Sequence, residues 1–266
     1  MIFKSKFLYG AFVLLIGFIF MVRGAGAFSY SFYNNATLQE SWTMETSTSP
    51  YWRVNSGGYL RIYGGRGHTN EGVLPQNDYW RKEYANSNPT DTDNGYHPQN
   101  IFRMITKEQW KNIQQEVYFK VTKDNLSPSP NREGHNGLLL FNRYVDSDNL
   151  YYTGVRVDGS AIIKKKQNGR YTTLAQISGI YPGTYNRDTN PDLIPKNVWV
   201  GIRSVVKNNP NGSVNIKLYI DKNWNGVWKL AADVNDNRPI ISKGYAGIRT
   251  DFMDVTFDSY GANEIL

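Results

Sequence analysis

From Phe28 onward, apolar and polar residues alternate in short runs separated by Gly, Asn, Asp and Pro, and no sustained spacing of three and four marks an amphipathic helix. Successive side chains of a strand point to opposite faces, so such runs bury one face and wet the other. The pattern predicts strands over Phe28–Tyr33, Tyr51–Val54, Tyr59–Tyr63, Asn100–Ile105, Ile113–Thr122, Gly137–Tyr144, Leu150–Val157, Ser160–Lys166, Arg170–Gln176, Val198–Val206, Ser213–Asp221, Val227–Ala232, Gly244–Arg249 and Met253–Tyr260. Asp158-Gly159 and Asn168-Gly169 each stand between two such runs and are expected to turn hairpins. Lys107–Asn112 is expected to form one helical turn. About fourteen strands with almost no helix predict an all-β protein: a two-sheet antiparallel jelly-roll sandwich forming one domain, 28–266. Two long stretches interrupt the spacing. Gly64–Gln99 carries Tyr79, Trp80 and Tyr84, and Ser178–Lys196 carries Tyr181 and Tyr185. Long loops in a compact β domain are often functional, and these are expected to pack around a site.

Residues 1–27 do not share this pattern. Lys4 and Lys6 precede an apolar run from Phe7 to Val22, and small residues at Ala25 and Ala27 follow, which is the layout of a secretory signal peptide cut near Phe28. The run is shorter than the roughly 20 residues of a spanning helix. The expectation is a secreted, extracellular protein with no membrane association after cleavage, and a monomer. Cleavage also removes three cations and no acid, so the formal charge of +7 falls to +4. That modest surplus, with no recognised binding motif, speaks against a nucleic-acid partner. The chain has no Cys, which excludes disulfides, thiolate zinc sites and a thiol nucleophile.

Ser31-Phe32 through Trp42, Trp52 and Gly58-Tyr-Leu60, then Asp148-Asn-Leu-Tyr-Tyr-Thr-Gly-Val-Arg-Val-Asp-Gly159, and the close Gly244-Tyr-Ala-Gly-Ile-Arg249 with Asp254-Val-Thr-Phe-Asp258, resemble secreted concanavalin A-like, laminin-G-like jelly-roll domains. The resemblance implies two curved antiparallel sheets, a concave face that often binds glycans, and frequently a structural calcium near the first and last strands. It implies no activity, because the superfold carries lectins, glycosidases and lyases alike. The chain lacks the Glu-x-Asp-x-x-Glu strand of jelly-roll glucanases and the Gln-Ile-His strand of jelly-roll alginate lyases.

Splitting each predicted strand by parity concentrates Lys, Arg, Tyr and Asn on one side. The candidate binding residues are Arg103, Glu116, Tyr118, Lys120, Asn142, Tyr144, Tyr152, Arg156, Lys164, Lys166 and Lys217. Guanidinium and ammonium groups between aromatic rings suit an acidic polysaccharide. The alternative function is a polysaccharide lyase using the same groove, which is favoured over a glycoside hydrolase. In a lyase Arg103, Asn142 or Arg156 would neutralise a uronate, Tyr152 or His135 would be the base, and Tyr144 or Lys164 the acid. His68, His97 and His135 are otherwise expected as solvated imidazoles. No cofactor is expected for chemistry. A structural calcium is expected from Asp221, Asn223 and Asn225, which open an Asp-x-Asn-x-Asn-Gly loop lacking its twelfth-position Glu, or, by the resemblance, from Asp254 and Asp258.

Overall fold

The structure is a computed structural model, and it describes residues 27–266. The expected signal segment lies outside the described residues apart from Ala27. The strands are β1 (Ala27–Tyr30), β2 (Ala36–Gln39), β3 (Trp52–Ser56), β4 (Tyr59–Tyr63), β5 (Arg66–His68), β6 (Ile101–Trp110), β7 (Ile113–Asp124), β8 (Gly137–Asp146), β9 (Asn149–Arg156), β10 (Ala161–Gln167), β11 (Arg170–Ile177), β12 (Trp199–Asn208), β13 (Val214–Asp221), β14 (Lys229–Asp236), β15 (Gly244–Asp251) and β16 (Met253–Glu264); one helix, α1, spans Tyr79–Ser87. They form two antiparallel sheets. The nine-stranded sheet runs β14-β13-β12-β7-β16-β5-β4-β2 with β1 beside β16, and the seven-stranded sheet runs β11-β10-β9-β8-β15-β6-β3. Consecutive strands β15 and β16 lie in different sheets, each inserted between strands distant in sequence. This is the expected two-sheet jelly-roll sandwich.

Alternation explains the core. In β13, Val214, Ile216, Leu218 and Ile220 are buried, while Asn215, Lys217 and Tyr219 stay partly exposed. Trp52, Phe102, Leu138, Leu140 and Val155 from one sheet meet Phe119, Ile202, Ile216 and Phe257 from the other. Phe102 and Phe257 stack across the interface with centroids 5.5 Å apart. Each such ring contributes about 1.5–3 kcal/mol by burial. Asn168 and Gly169 both take positive φ, as a type I′ hairpin between β10 and β11 requires.

Three local expectations fail. Lys107–Asn112 is not a helical turn: β6 continues to Trp110, because Thr106 and Trp110 are buried and Lys107 N–H bonds to the Tyr51 carbonyl. The first long insertion contributes β5 and α1 instead of loop alone. Asp78 caps α1 by accepting from the Trp80 and Arg81 amides, and Trp80 and Tyr84, four apart, bury one side against Leu74. His68 is buried in β5 and stacked 3.9 Å from Tyr63, and His97 bonds to Asp93 at 2.9 Å. Both are therefore built into the insertion, not solvated.

The second insertion is tied down by charge. Lys196 bridges Asp124 and Asp192, each at 2.9 Å, and Asp192 also accepts the Ile194 amide at 2.8 Å. Burial pushes the Asp192 carboxyl up to about 7, with Lys196 pulling the other way. A carboxyl raised above its unfolded value stabilises fully at low pH, and that contribution is lost as pH rises towards 7. In urea denaturation at pH 5 and pH 8, Asp192→Asn is therefore expected to gain on the wild type at the higher pH; a difference that stays constant would mark an ordinary carboxylate.

Candidate functional site

Residues directly opposite one another in neighbouring strands share a face, so the registers lay out the outer surface of the seven-stranded sheet. One row reads Arg103, Arg249, Leu139, Gly154 and Ile162 across β6, β15, β8, β9 and β10. The next reads Ile105, Gly247, Phe141, Tyr152 and Lys164. Beyond it Leu150 pairs with Lys166, and Lys166 with Tyr171 of β11. Ile105, Leu139, Phe141, Tyr144, Leu150, Tyr152 and Ile162 form a second apolar cluster, a floor on which the charged side chains stand. Gly154 is required there: a Cβ would lie 2.1 Å from the Leu138 carbonyl oxygen of β8.

A cleft of about 190 Å³ opens on this floor, lined among others by His135, Tyr152, Arg156, Lys164, Tyr171 and Arg249. Arg249 is its central cation. Its Nε donates to Asp251 at 2.8 Å, and its guanidinium sits 5.6 Å from the Tyr152 ring centre. Burial opposes the Arg249 charge, but Asp251 and Tyr152 outweigh it and hold the guanidinium firmly protonated. Tyr171 folds over the cationic side chains, with Lys164 Nζ 4.5 Å and Lys166 Nζ 5.1 Å from its ring centre. Burial lowers the Lys164 pKa. It raises that of the Tyr152 hydroxyl, against the field of Arg249, so Tyr152 keeps its proton at neutral pH and acts as a donor. Arg156 is anchored by the Gly134 carbonyl at 3.2 Å and by Asp158 at 3.4 Å. His135 is at the rim, its side chain 64% exposed and paired with Glu133 at 3.0 Å.

Towards β3 the face continues through Arg103, whose buried Nε has no partner. Asn55 donates to the Tyr144 hydroxyl at 3.2 Å. Glu40 accepts from Tyr84 at 2.7 Å and from the Gly58 amide at 2.9 Å, and burial holds its carboxyl above the ordinary range despite those bonds and Arg103.

The structure thus brings Arg103, Tyr144, Tyr152, Arg156, Lys164, Lys166 and His135 onto one face or its rim. It removes others. Asn142 is fully buried between the sheets, bonded to Gln115 at 2.7 Å and Ser204 at 2.8 Å, because it shares the inward parity of Leu138 and Leu140. Glu116, Tyr118, Lys120 and Lys217 belong to β7 and β13, on the opposite sheet. There Glu116 pairs with Arg203 at 2.5 Å and Lys217 with Asp233 at 3.2 Å. Parity distinguishes the faces of a strand but not the sheet it joins. Arg249, Asp251 and Tyr171 escaped the sequence, although Ala246, Ile248 and Thr250 alternate with Tyr245, Gly247, Arg249 and Asp251 and could have exposed the β15 residues.

Four of the five nominated calcium ligands, all but Asn223, are committed elsewhere. Asp221 accepts the amides of Asn223, Asn225 and Gly226 and the Tyr118 hydroxyl, and Asn225 Oδ1 accepts the Val227 amide. The segment is an Asx-type turn whose carboxylate is used internally. Asp254 accepts from the Gly72 amide, Gln99 and Asn125, while Asp258 faces Arg66 at 3.6 Å. Four residues apart in one strand, Asp254 and Asp258 stand about 13 Å from each other and cannot share an ion. Among the described residues no group of three or more His, Cys, Asp or Glu could hold a metal. These side chains do not fit a calcium site.

No family model matches the chain, and no curated protein matches it. Among solved structures it is similar to carbohydrate binding module CBM66 from Bacillus subtilis, at 12% identity and TM-score 0.45, covering 91% of this chain and 98% of that one. It is also similar to a mutant of the GH43 protein BlXynB from Bacillus licheniformis, at 10% identity and TM-score 0.49, covering 89% of this chain but 39% of that one. A third is the VIP36 exoplasmic/lumenal domain in its Ca2+/Man3GlcNAc-bound form, at 10% identity and TM-score 0.45, covering 90% and 91%. At such identities no side chain of the cleft transfers from these structures, and its chemistry rests on its own residues.

Proposed function

We propose that the outer face of the seven-stranded sheet binds an acidic polysaccharide, and that the protein is a secreted glycan-binding protein rather than an enzyme. The observation that supports this is the convergence of Arg249, Arg156 and Lys164 with Tyr152 and Tyr171 around one cleft, with Arg103 opposite Arg249 on the same face. Arg249 and Arg103 can take a sugar carboxylate through two parallel hydrogen bonds, Lys164 adds a point charge, and the Tyr152 hydroxyl donates to a ring oxygen. Tyr152 and Tyr171 offer apolar faces to the C–H side of a sugar ring, leaving polar groups to fix its orientation. Tyr152 is the group placed where a base would act, but its raised pKa makes it a poor one.

The test is binding to alginate, pectate, glucuronan and hyaluronan at two salt concentrations. Affinity for at least one polymer is expected to fall about tenfold or more between 0.05 and 0.5 M NaCl, because partly exposed charges are screened over that range. Binding that ignores salt, or no binding to any of the four, would contradict an ionic groove. Release of unsaturated uronates during incubation would instead establish the lyase.

A further inference from the structure

The turn that fails as a calcium loop carries another residue. Asp221 closes Asp221-Lys-Asn-Trp-Asn-Gly226 on itself, and Trp224 stands at its tip with φ 49°, a conformation bulky side chains seldom adopt and one that persists where the surroundings impose it. The indole is not folded away: the residue is 36% exposed. One ring face lies over Tyr118, centroids 4.7 Å apart and planes within 18°. It forms a T-shaped pair with Trp199, centroids 4.6 Å apart, and the Trp228 ring centre lies 5.5 Å from that of Tyr118. Gly201 of β12 makes this possible, since a Cβ there would come within 2.7 Å of the Tyr118 ring and 2.8 Å of Trp228. Three tryptophans and a tyrosine thus form a platform on the outer face of the nine-stranded sheet, on the opposite side of the sandwich from the basic cleft.

Arg249, Arg156 and Lys166 of the basic face are themselves paired with acids, and Lys164 and Arg103 are the cations there without an ion pair among the described residues; the platform has fewer unpaired charges. Arg203 lies 4.1 Å from the Trp228 ring centre, and Arg66 lies 5.1 Å from that of Trp199; both are neutralised, by Glu116 and Asp258. Lys120, also over Trp199 at 5.1 Å, is the cation of the platform without an ion pair among the described residues. An exposed aromatic surface ringed by closed ion pairs favours a ligand with one apolar face and neutral hydrogen-bonding edges. We propose that this platform is a second glycan site, specific for the neutral sugar rings of a polysaccharide, so that the protein engages glycan from both sheets. Trp224 supplies the stacking face, while Lys120, Glu116 and Arg203 meet ring hydroxyls. The site is independent of the acidic-glycan cleft and survives if that assignment fails.

Affinity electrophoresis in laminarin, xylan and mannan separates the two sites when run at about 1 M NaCl, where the screening length drops to about 3 Å and the basic cleft is suppressed. The wild type is expected to be retarded by at least one of the three polymers. Trp224→Ala is expected to weaken that binding about tenfold or more, because truncating an aromatic anchor removes most of the contact. Trp224 is at a turn tip, so the fold should survive; a matching thermal transition checks this, and Trp228→Ala gives a second variant on the same platform. Retardation unaffected by both tryptophan variants, or none with any polymer, overturns the proposal. So does capture of a polyproline peptide, or a Trp224-dependent dimer, in place of glycan.

Discussion

Replacing Lys165 by methionine is expected to destabilise the protein by about 3–5 kcal/mol, a large part of what holds an ordinary domain folded. Lys165 is the middle of three consecutive lysines, and β10 alternation sends it inward while Lys164 and Lys166 stand on the outer face of the sheet. Its ammonium sits 2.9 Å from the Asp236 carboxylate in β14, and both side chains are nearly inaccessible. It donates also to the Arg238 carbonyl, while the Tyr151 hydroxyl, held protonated by burial, donates to Asp236 at 2.8 Å. Removing the ammonium leaves a buried carboxylate with no counter-charge, which costs far more than the pair itself contributes. The double variant Lys165→Met with Asp236→Leu removes both charges and should recover most of the loss. Urea midpoints measure this directly; a single variant within about 1 kcal/mol of wild type would show that water reaches the pair.

The second large effect is on binding. Arg249→Ala is expected to weaken affinity for the acidic polymer by about 2–5 kcal/mol, a loss of roughly thirtyfold or more at low salt. The guanidinium is one-fifth exposed, between Asp251 and Tyr152, so its charge is little screened and its orientation is set before ligand arrives. Arg249→Lys keeps the charge but loses the planar fork, and is expected to restore only part of the affinity. Because the Asp251 side chain is only 2% exposed, Arg249→Ala also leaves a buried acid unpaired. Combining it with Asp251→Asn separates folding from binding: the double variant should regain stability without regaining affinity. Full affinity in the folded double variant would move the site elsewhere on the face.

Much of this face was legible in the chain. The alternation in Leu150–Val157 and Ser160–Lys166 placed Tyr152, Arg156, Lys164 and Lys166 together, and the hairpin between β9 and β10 sets those strands side by side. Adjacent strands joined by a tight turn inherit their register from the turn, so nearby sequence suffices. Arg249 and Arg103 are different. They face each other only because β15 enters between β8 and β6, a pairing of residues far apart in sequence. The same cause misplaced Glu116, Tyr118, Lys120 and Lys217, whose parity was sound but whose strands joined the other sheet.

The Asp221 loop shows the limit in its sharpest form. Its residue types suit a calcium ion, yet whether the carboxylate faces an ion or its own amides depends on the curl of the hairpin and on Tyr118, over one hundred residues earlier in the chain. By itself the sequence determined the all-β class, most strand positions, the alternation within each strand and the glycines that turn the hairpins. The period of two and the demands of tight turns are properties of a few consecutive residues. Only the tertiary structure decided which strands became neighbours, which lysine of three was buried, and which aromatic and cationic side chains share a surface. Those outcomes follow from long-range strand pairing and from desolvation between the sheets, neither of which is encoded in any local run of residues.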